Sequence, residues 1–223
     1  MMHSVFTEIF PAPPVHTEEI LRYAGARNGT PQLRKLLEET LAESLDQLTY
    51  KVCWQKFPVV SMAEGLDLTF TKTDSSKLRS HLNGCSHIVL FGATVGIGLD
   101  RLIARYGKTA PAKALLLQAI GAERIEALCD AFSHKIKQES AAEGLHTTSR
   151  FSPGYGDLPL ELQRDIFRTL NCSNKIGLTL NDSLIMSPSK SVTAIIGIGS
   201  CCGDTAAGCS NCTKTDCIHR RSL

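Results

Sequence analysis

An α+β fold is the class this sequence predicts, and three observations predict it. A leucine ladder at helical spacing occupies the early chain, strand-like alternation follows it, and the two patterns then mix with no regular strand, helix, strand repeat. That order excludes a doubly wound nucleotide fold. With 223 residues, 43% hydrophobic, 21% charged and 6% aromatic, the chain falls in the globular range, which excludes collagen, a long coiled coil and wholesale disorder. At about 150 residues per domain the length suits one domain with an appendage.

Each element has a local cause. Thr17 followed by Glu18 and Glu19 places a cap and two carboxylates at a helix start, and Asn28 with Gly29 stops that helix near Arg27. Thr30 and Pro31 restart one, whose face is Leu33, Leu36, Leu37, Leu41, Leu45 and Leu48. From Tyr50 to Phe70 β-branched and aromatic residues predict two or three strands, with Leu66, Leu68 and Phe70 alternating against Asp67, Thr69 and Thr71. Asp74 to Asn83 reads as a short helix closed by Gly84, and His87 to Phe91 as an apolar strand running into Gly92, Gly96 and Gly98. A helix follows, and Ala110 to Gln138 then forms one long helix or two broken near Gly121. Glu143 to Gly156 is a loop; Asp157 and Pro159 open a helix with Leu162, Ile166, Phe167 and Leu170 on its buried face. Strands at Ile176 to Leu180 and Val192 to Ile198 flank a turn at Ser187, Pro188 and Ser189. The expected division is a domain over residues 1–199, with an N-terminal helical part over about 1–48, and a Cys-rich tail over 200–223.

A net charge of +2 gives no electrostatic case for nucleic acid or an anionic membrane. No run approaches the roughly 18 to 20 apolar residues of a spanning helix. Met1 to Val15 lacks the pattern of a secretory signal, so a cytoplasmic location is expected. Gly92, Gly96 and Gly98 sit where backbone amides could receive an anion, yet neither the phosphate-loop ending nor the dinucleotide spacing is present, and close packing of strand on helix is the plainer reading.

Arg150, Pro153, Gly154 and Tyr155 carry the sharper chemistry. A guanidinium grips a carboxylate with parallel hydrogen bonds, a glycine behind a stiffening proline admits a ligand to the backbone, and a tyrosine ring stacks on a base or faces a cation. The set suits an amino-acid-bearing nucleoside; the alternative is an ordinary surface loop.

The run Arg150-Phe151-Ser152-Pro153-Gly154-Tyr155 resembles the S-adenosylmethionine signature of the activation domain of cobalamin-dependent methionine synthase. Phe91 with Thr94-Val95-Gly96-Ile97-Gly98 resembles another segment of that family, as do Glu126-Ala127 before Phe132, Ile176 to Leu180, and Met186 to Val192. The likeness runs in order from about Cys85 to Gly199. It implies an α+β domain of that type, with a mixed or antiparallel sheet, flanking helices and here an irregular Cys-rich tail. It implies S-adenosylmethionine binding in support of reductive methylation of cob(II)alamin, with Arg150 on the ligand's carboxylate, Gly154 lining the pocket, Tyr155 near the nucleoside or sulfonium, and Glu126 on the amino group. A solvated helix charge is the alternative for Glu126. The chain departs from the family at Ser187-Pro188-Ser189, where the family has Trp-Pro-Gly, and at Ile195, Ile196 and Ile198, which replace a tyrosine-bearing strand. It also lacks a cobalamin-ligating Asp-x-His-x-x-Gly run, so the corrinoid would ride on a separate methionine synthase or related methyltransferase.

Nine cysteines, an odd number in a long chain, suggest reduced thiols or metal ligands rather than a disulfide framework. Cys202, Cys209, Cys212 and Cys217, with Cys201 as substitute or bystander, are spaced to hold one metal centre. A 4Fe-4S cluster would supply the reactivating electron; structural zinc is the alternative. Ferredoxin or flavodoxin is a possible external donor. The expected role is therefore an activation protein within methionine synthase methyltransferase activity. Its rivals are a zinc-stapled interaction protein and an iron–sulfur reductase of a corrinoid protein.

Overall fold

The computed structural model describes residues 4–26 and 28–202. The chain begins with strand β1 (Phe6–Ile9), helices α1 (Thr17–Tyr23) and α2 (Pro31–Leu45), and strands β2 (Lys51–Pro58), β3 (Val60–Ser61), β4 (Leu66–Asp67) and β5 (Lys72–Thr73). There follow α3 (Ser76–His81), β6 (His87–Thr94), α4 (Gly98–Tyr106), α5 (Pro111–Ala142) and β7 (His146–Thr147). The last elements are α6 (Leu162–Leu170), α7 (Cys172–Ile176), β8 (Thr179–Leu180), β9 (Met186–Ser187) and β10 (Ser191–Gly199). No helix among the described residues is long and apolar enough to cross a membrane.

A five-stranded sheet, ordered β1-β2-β6-β10-β7 with every neighbour antiparallel, forms the middle layer. Alternation along its central strands puts Val89, Phe91, Ala93, Ala194, Ile196 and Ile198 on one face and Ile88, Leu90 and Ile195 on the other. Both faces are buried, which is why these strands read as nearly continuous apolar runs. The first face packs on α4 and α5 through Leu99, Leu117, Leu128 and Phe132; the second packs on α3, α6 and α7. Helix α5 also buries Leu116, Ala119 and Ile120 against Ile20, Leu21 and Leu37 of α1 and α2, so it is a core element on two sides.

Thr30 caps α2 by accepting from Leu33 N–H, with Pro31 in the first turn as expected. The 32-residue α5 passes unbroken through Gly121, where a β-carbon would fall 2.4 Å from Leu99 Cδ2. At Gly96 and Gly98 it would fall 2.4 Å from Thr49 Oγ1 and 2.2 Å from the Gln47 carbonyl, so these glycines admit the preceding loop. Four sequence expectations need adjustment. The N-terminal part supplies an edge strand, β1, because Phe6 stacks on Trp54 and Lys135 pairs with Glu8. The alternation at Leu66 to Phe70 yields only the short β4, since Thr69 turns at φ +71°. The Ile176 to Leu180 run is split: α7 ends at Ile176, Gly177 is left-handed, and β8 begins at Thr179. Asp157 does not open α6, for a reason given below.

One buried charge cluster ties the N-terminus to α5. Arg124, fully buried, pairs with the adjacent Glu123 and donates to the Pro13 and Pro14 carbonyls, both at 2.6 Å. Glu123 in turn accepts from His16 N–H at 3.1 Å. Removing one member strands a charge out of water, so Arg124→Met is expected to lower unfolding free energy by about 3 to 5 kcal/mol in urea denaturation. The double variant Arg124→Met, Glu123→Leu should recover a substantial part of that loss.

Candidate ligand site

The loop from Ser149 to Asp157 joins β7 to α6 and is held at both ends. Phe151 exchanges backbone hydrogen bonds with Ile195 of β10 at 2.9 and 2.8 Å, which fixes Arg150 beside the central sheet and under α5. The loop then turns through Gly154 at φ +89° and Gly156 at φ +59°, conformations that residues with a β-carbon rarely adopt. Gly154 N–H donates to the Leu158 carbonyl, and a β-carbon on Gly156 would fall 2.9 Å from Lys77 Cγ. These turns send Asp157 back to the start of α3. Its carboxylate accepts from Ser76 N–H at 2.8 Å, Ser76 Oγ at 2.7 Å and Lys77 N–H at 3.2 Å, and also binds the Ser75 hydroxyl. The expected helix-opening residue thus caps a different helix.

Helix α3 grips the other end too. His81 Nε2–H donates to the Ser149 carbonyl at 2.8 Å, and its ring lies 5.1 Å from that of Phe151. Burial pushes the His81 pKa down, against the opposing bond to Ser149.

Arg150 reaches α5, where one nitrogen, Nη2, meets Asp130 Oδ1 at 2.6 Å and Glu126 Oε2 at 3.1 Å. Its side chain is 19% exposed, Glu126 34% and Asp130 55%, so the guanidinium is the fixed member and Asp130 the most accessible. Beside them burial pushes the Cys129 thiol up to about 12, which leaves it protonated and unreactive.

Glu126 and Asp130 also line a cavity of about 590 Å³, a size suited to a small-molecule ligand. Its opposite wall is the N-terminal strap, Pro13, Pro14 and His16, held by the Arg124 cluster. Glu19, Glu123, His134, Tyr23, Ala127 and Ala131 complete the lining, and its carboxylates are paired: Glu19 with Arg22, Glu123 with Arg124, and Glu126 and Asp130 with Arg150. Arg150 and Glu126 are therefore brought together. Pro153, Gly154 and Tyr155 do not line the cavity; Pro153 is buried, while Tyr155 is 67% exposed with its ring 6.5 Å from Phe151. Asp130 and the strap, which line the cavity, are not among the residues that the sequence singles out. The signal for Asp130 was there, since residues i and i+4 of a helix share a face; the strap is recognisable only once Arg124 is seen to be buried.

The expected metal ligands divide. Cys209, Cys212 and Cys217 lie outside the described residues. Cys202 is disulfide-bonded to Cys85, and Cys201 is free and exposed. A sulfur in a disulfide offers no thiolate to a metal, so the described part of the expected centre does not fit a metal in this state. Among the described residues no group of three or more His, Cys, Asp or Glu could hold one.

A three-layer α+β domain with a carboxylate-lined, guanidinium-backed cavity is the class that fold and site define. Residues 76–201, more than half of the chain, match the family of the activation domain of vitamin B12 dependent methionine synthase, and the chain belongs to that family. The fold is shared with the MetH reactivation domain, solved in a crystal structure bound to AdoHcy: TM-score 0.60, 15% identity, covering 87% of this chain and 78% of that one. No curated protein matches the chain.

Two ionisable contacts of α3 predict an acid response. The unfolded chain protonates histidine near pH 6.5 and aspartate near 3.9, whereas the folded pKa of His81 is lowered by burial and that of Asp157 by its bonds to Ser75 and Ser76. In both cases the unfolded state binds the proton first, so stability falls with pH, first below about 6.5 and again below about 3.9. In denaturation midpoints taken from pH 7.5 to 3, His81→Gln should reduce the first decline, to which partly buried His87 also contributes, and leave the second.

Proposed function

We propose that the chain binds S-adenosylmethionine at the Arg150, Glu126 and Asp130 cluster and supports reductive methylation of cob(II)alamin carried by a separate methionine synthase or related corrinoid methyltransferase. The observation that carries this reading is the shared guanidinium. An amino acid zwitterion is the chemical complement of a cation paired with two carboxylates: its own carboxylate replaces Asp130, the exposed partner, on Arg150, and its ammonium group takes Glu126. Asp130, once displaced from Arg150, is a carboxylate left at the cavity that can face the positive charge of a sulfonium. Tyr155, exposed beside Phe151, offers a ring for the nucleoside. The AdoHcy in the related crystal structure and the family membership support the same ligand class.

Bound S-adenosylmethionine supplies the methyl group, and with one electron from an external donor the corrinoid gains methyl while S-adenosylhomocysteine is left. This chain's residues contribute position. Arg150 fixes the amino acid end, the turn at Gly154 shapes the loop that carries it, and the α3 contacts keep that loop from drifting.

Isothermal titration of the full chain tests the reading. S-adenosylmethionine and S-adenosylhomocysteine should both bind, and Arg150→Gln should weaken binding by about 1.5 to 3 kcal/mol, the worth of a charged hydrogen-bond pair. Asp130→Asn should weaken it much less, because Asp130 is the group displaced. Absence of heat with either ligand would leave the interaction-protein reading in its place.

A further inference from the structure

We propose that Cys85 and Cys202 form a thiol–disulfide modification site that couples the oxidation state of the chain to the order of the loop Ser149–Asp157. The two residues are 117 apart in sequence, with Cα atoms 5.4 Å apart. Their backbones are already in contact: Ser86 N–H donates to the Ile198 carbonyl at 2.9 Å, and a β-carbon at Gly199 would fall 2.3 Å from the Gly84 carbonyl. The fold therefore brings the sulfurs together, and the bond closes a junction that the sheet has built.

The junction lies at the foot of the ligand loop. A β-carbon at Gly197 would fall 2.6 Å from the Cys85 sulfur and 3.1 Å from Thr148 Cγ2, so the sulfur and the residue before Ser149 share one patch of β10. Thr148 Oγ1 accepts from Gly197 N–H at 2.9 Å. On the other side Cys85 ends the turn that follows α3, and its N–H donates to the Leu82 carbonyl. Helix α3 thus stands between the clasp and the loop, which it holds through His81 and through the Asp157 cap. Opening the clasp frees the turn behind α3 and, through it, both grips on the loop. The relevance of that loop to a methyl donor rests on the function proposed above; the clasp itself does not.

Cys85 is partly exposed, and exposed Cys201 adjoins its partner, so a small thiol reagent has access. The reaction class is exchange with a low-molecular-weight disulfide such as oxidised glutathione. The Cys85 thiolate attacks one of its sulfurs and releases one glutathione thiolate; Cys202 then attacks the mixed disulfide and releases the second. Two protein thiols lose two protons and two electrons, and the small disulfide becomes two thiols. A dithiol reverses the process.

The test uses the full chain without added ligand. One sample is equilibrated with oxidised glutathione and one with dithiothreitol; free thiols are alkylated, and digests are read by mass spectrometry for a Cys85–Cys202 linked peptide. Amide exchange is followed in parallel. The linked peptide is expected in the oxidised sample only, with exchange over Ser149–Asp157 about tenfold slower than in the reduced one. Cys85→Ser and, independently, Cys202→Ser should each remove both differences. Alkylation of both cysteines in the oxidised sample, their protection by a bound metal without a linked peptide, or a linked peptide with unchanged loop exchange would each overturn the proposal. None of these readouts requires S-adenosylmethionine to bind.

Discussion

A buried guanidinium on α5 sets the geometry on which the site depends. Arg124 and Glu123 are taken out of water together, and their remaining hydrogen-bonding capacity is met by the Pro13 and Pro14 carbonyls and His16 N–H. Two prolines have no N–H to satisfy and a restricted φ, so an extended strap can lie there at low cost in backbone entropy. The strap is what converts an open helix face into a cavity. Within the next two turns of the same helix, Glu126 and Asp130 face that cavity and reach Arg150 behind it. Position on one rigid helix thus relates the strap, the carboxylates and the guanidinium.

The loop that carries Arg150 depends in turn on the opposite layer. Positive φ at Gly154 and Gly156 directs Asp157 to the α3 N-terminus, while His81 at the other end of that helix holds Ser149. A six-residue helix is too short to be stable alone. It is stabilised by packing Leu78 into the core beneath the sheet and by the cap that the loop itself supplies. Loop and helix are therefore mutually supporting, which is the physical reason that changes at the Cys85 turn reach Arg150.

Much of the fold was legible because its causes are local. The cap at Thr30 and the long apolar stripe of α5 each state their structure within a few residues, whereas the expected leucine face of α2 is only partly realised: Leu37 is buried with Thr40 and Ser44, Leu45 is exposed and Leu48 lies beyond the helix. The misread elements have long-range causes. β1 exists because Trp54 and Lys135, far along the chain, receive Phe6 and Glu8, and Asp157 was assigned to the next helix because a cap on a helix some 80 residues earlier leaves no local signature. The same division holds at the site. Arg150, Gly154 and Glu126 could be singled out from residue type and resemblance, and Arg150 does meet Glu126. The burial of Glu123 and Arg124, which locally look like solvated helix charges, and the pairing of Cys85 with Cys202 across 117 residues are products of the sheet's topology.

The central claim is that an amino acid zwitterion enters the Arg150 cluster by exchanging with Asp130. A crystal structure of the chain with S-adenosylhomocysteine tests it most directly. The account predicts the ligand carboxylate within hydrogen-bond distance of Arg150, Asp130 turned away to solvent, and the ligand ammonium on Glu126. Ligand density elsewhere, with Arg150 still bound to both α5 carboxylates, would contradict it.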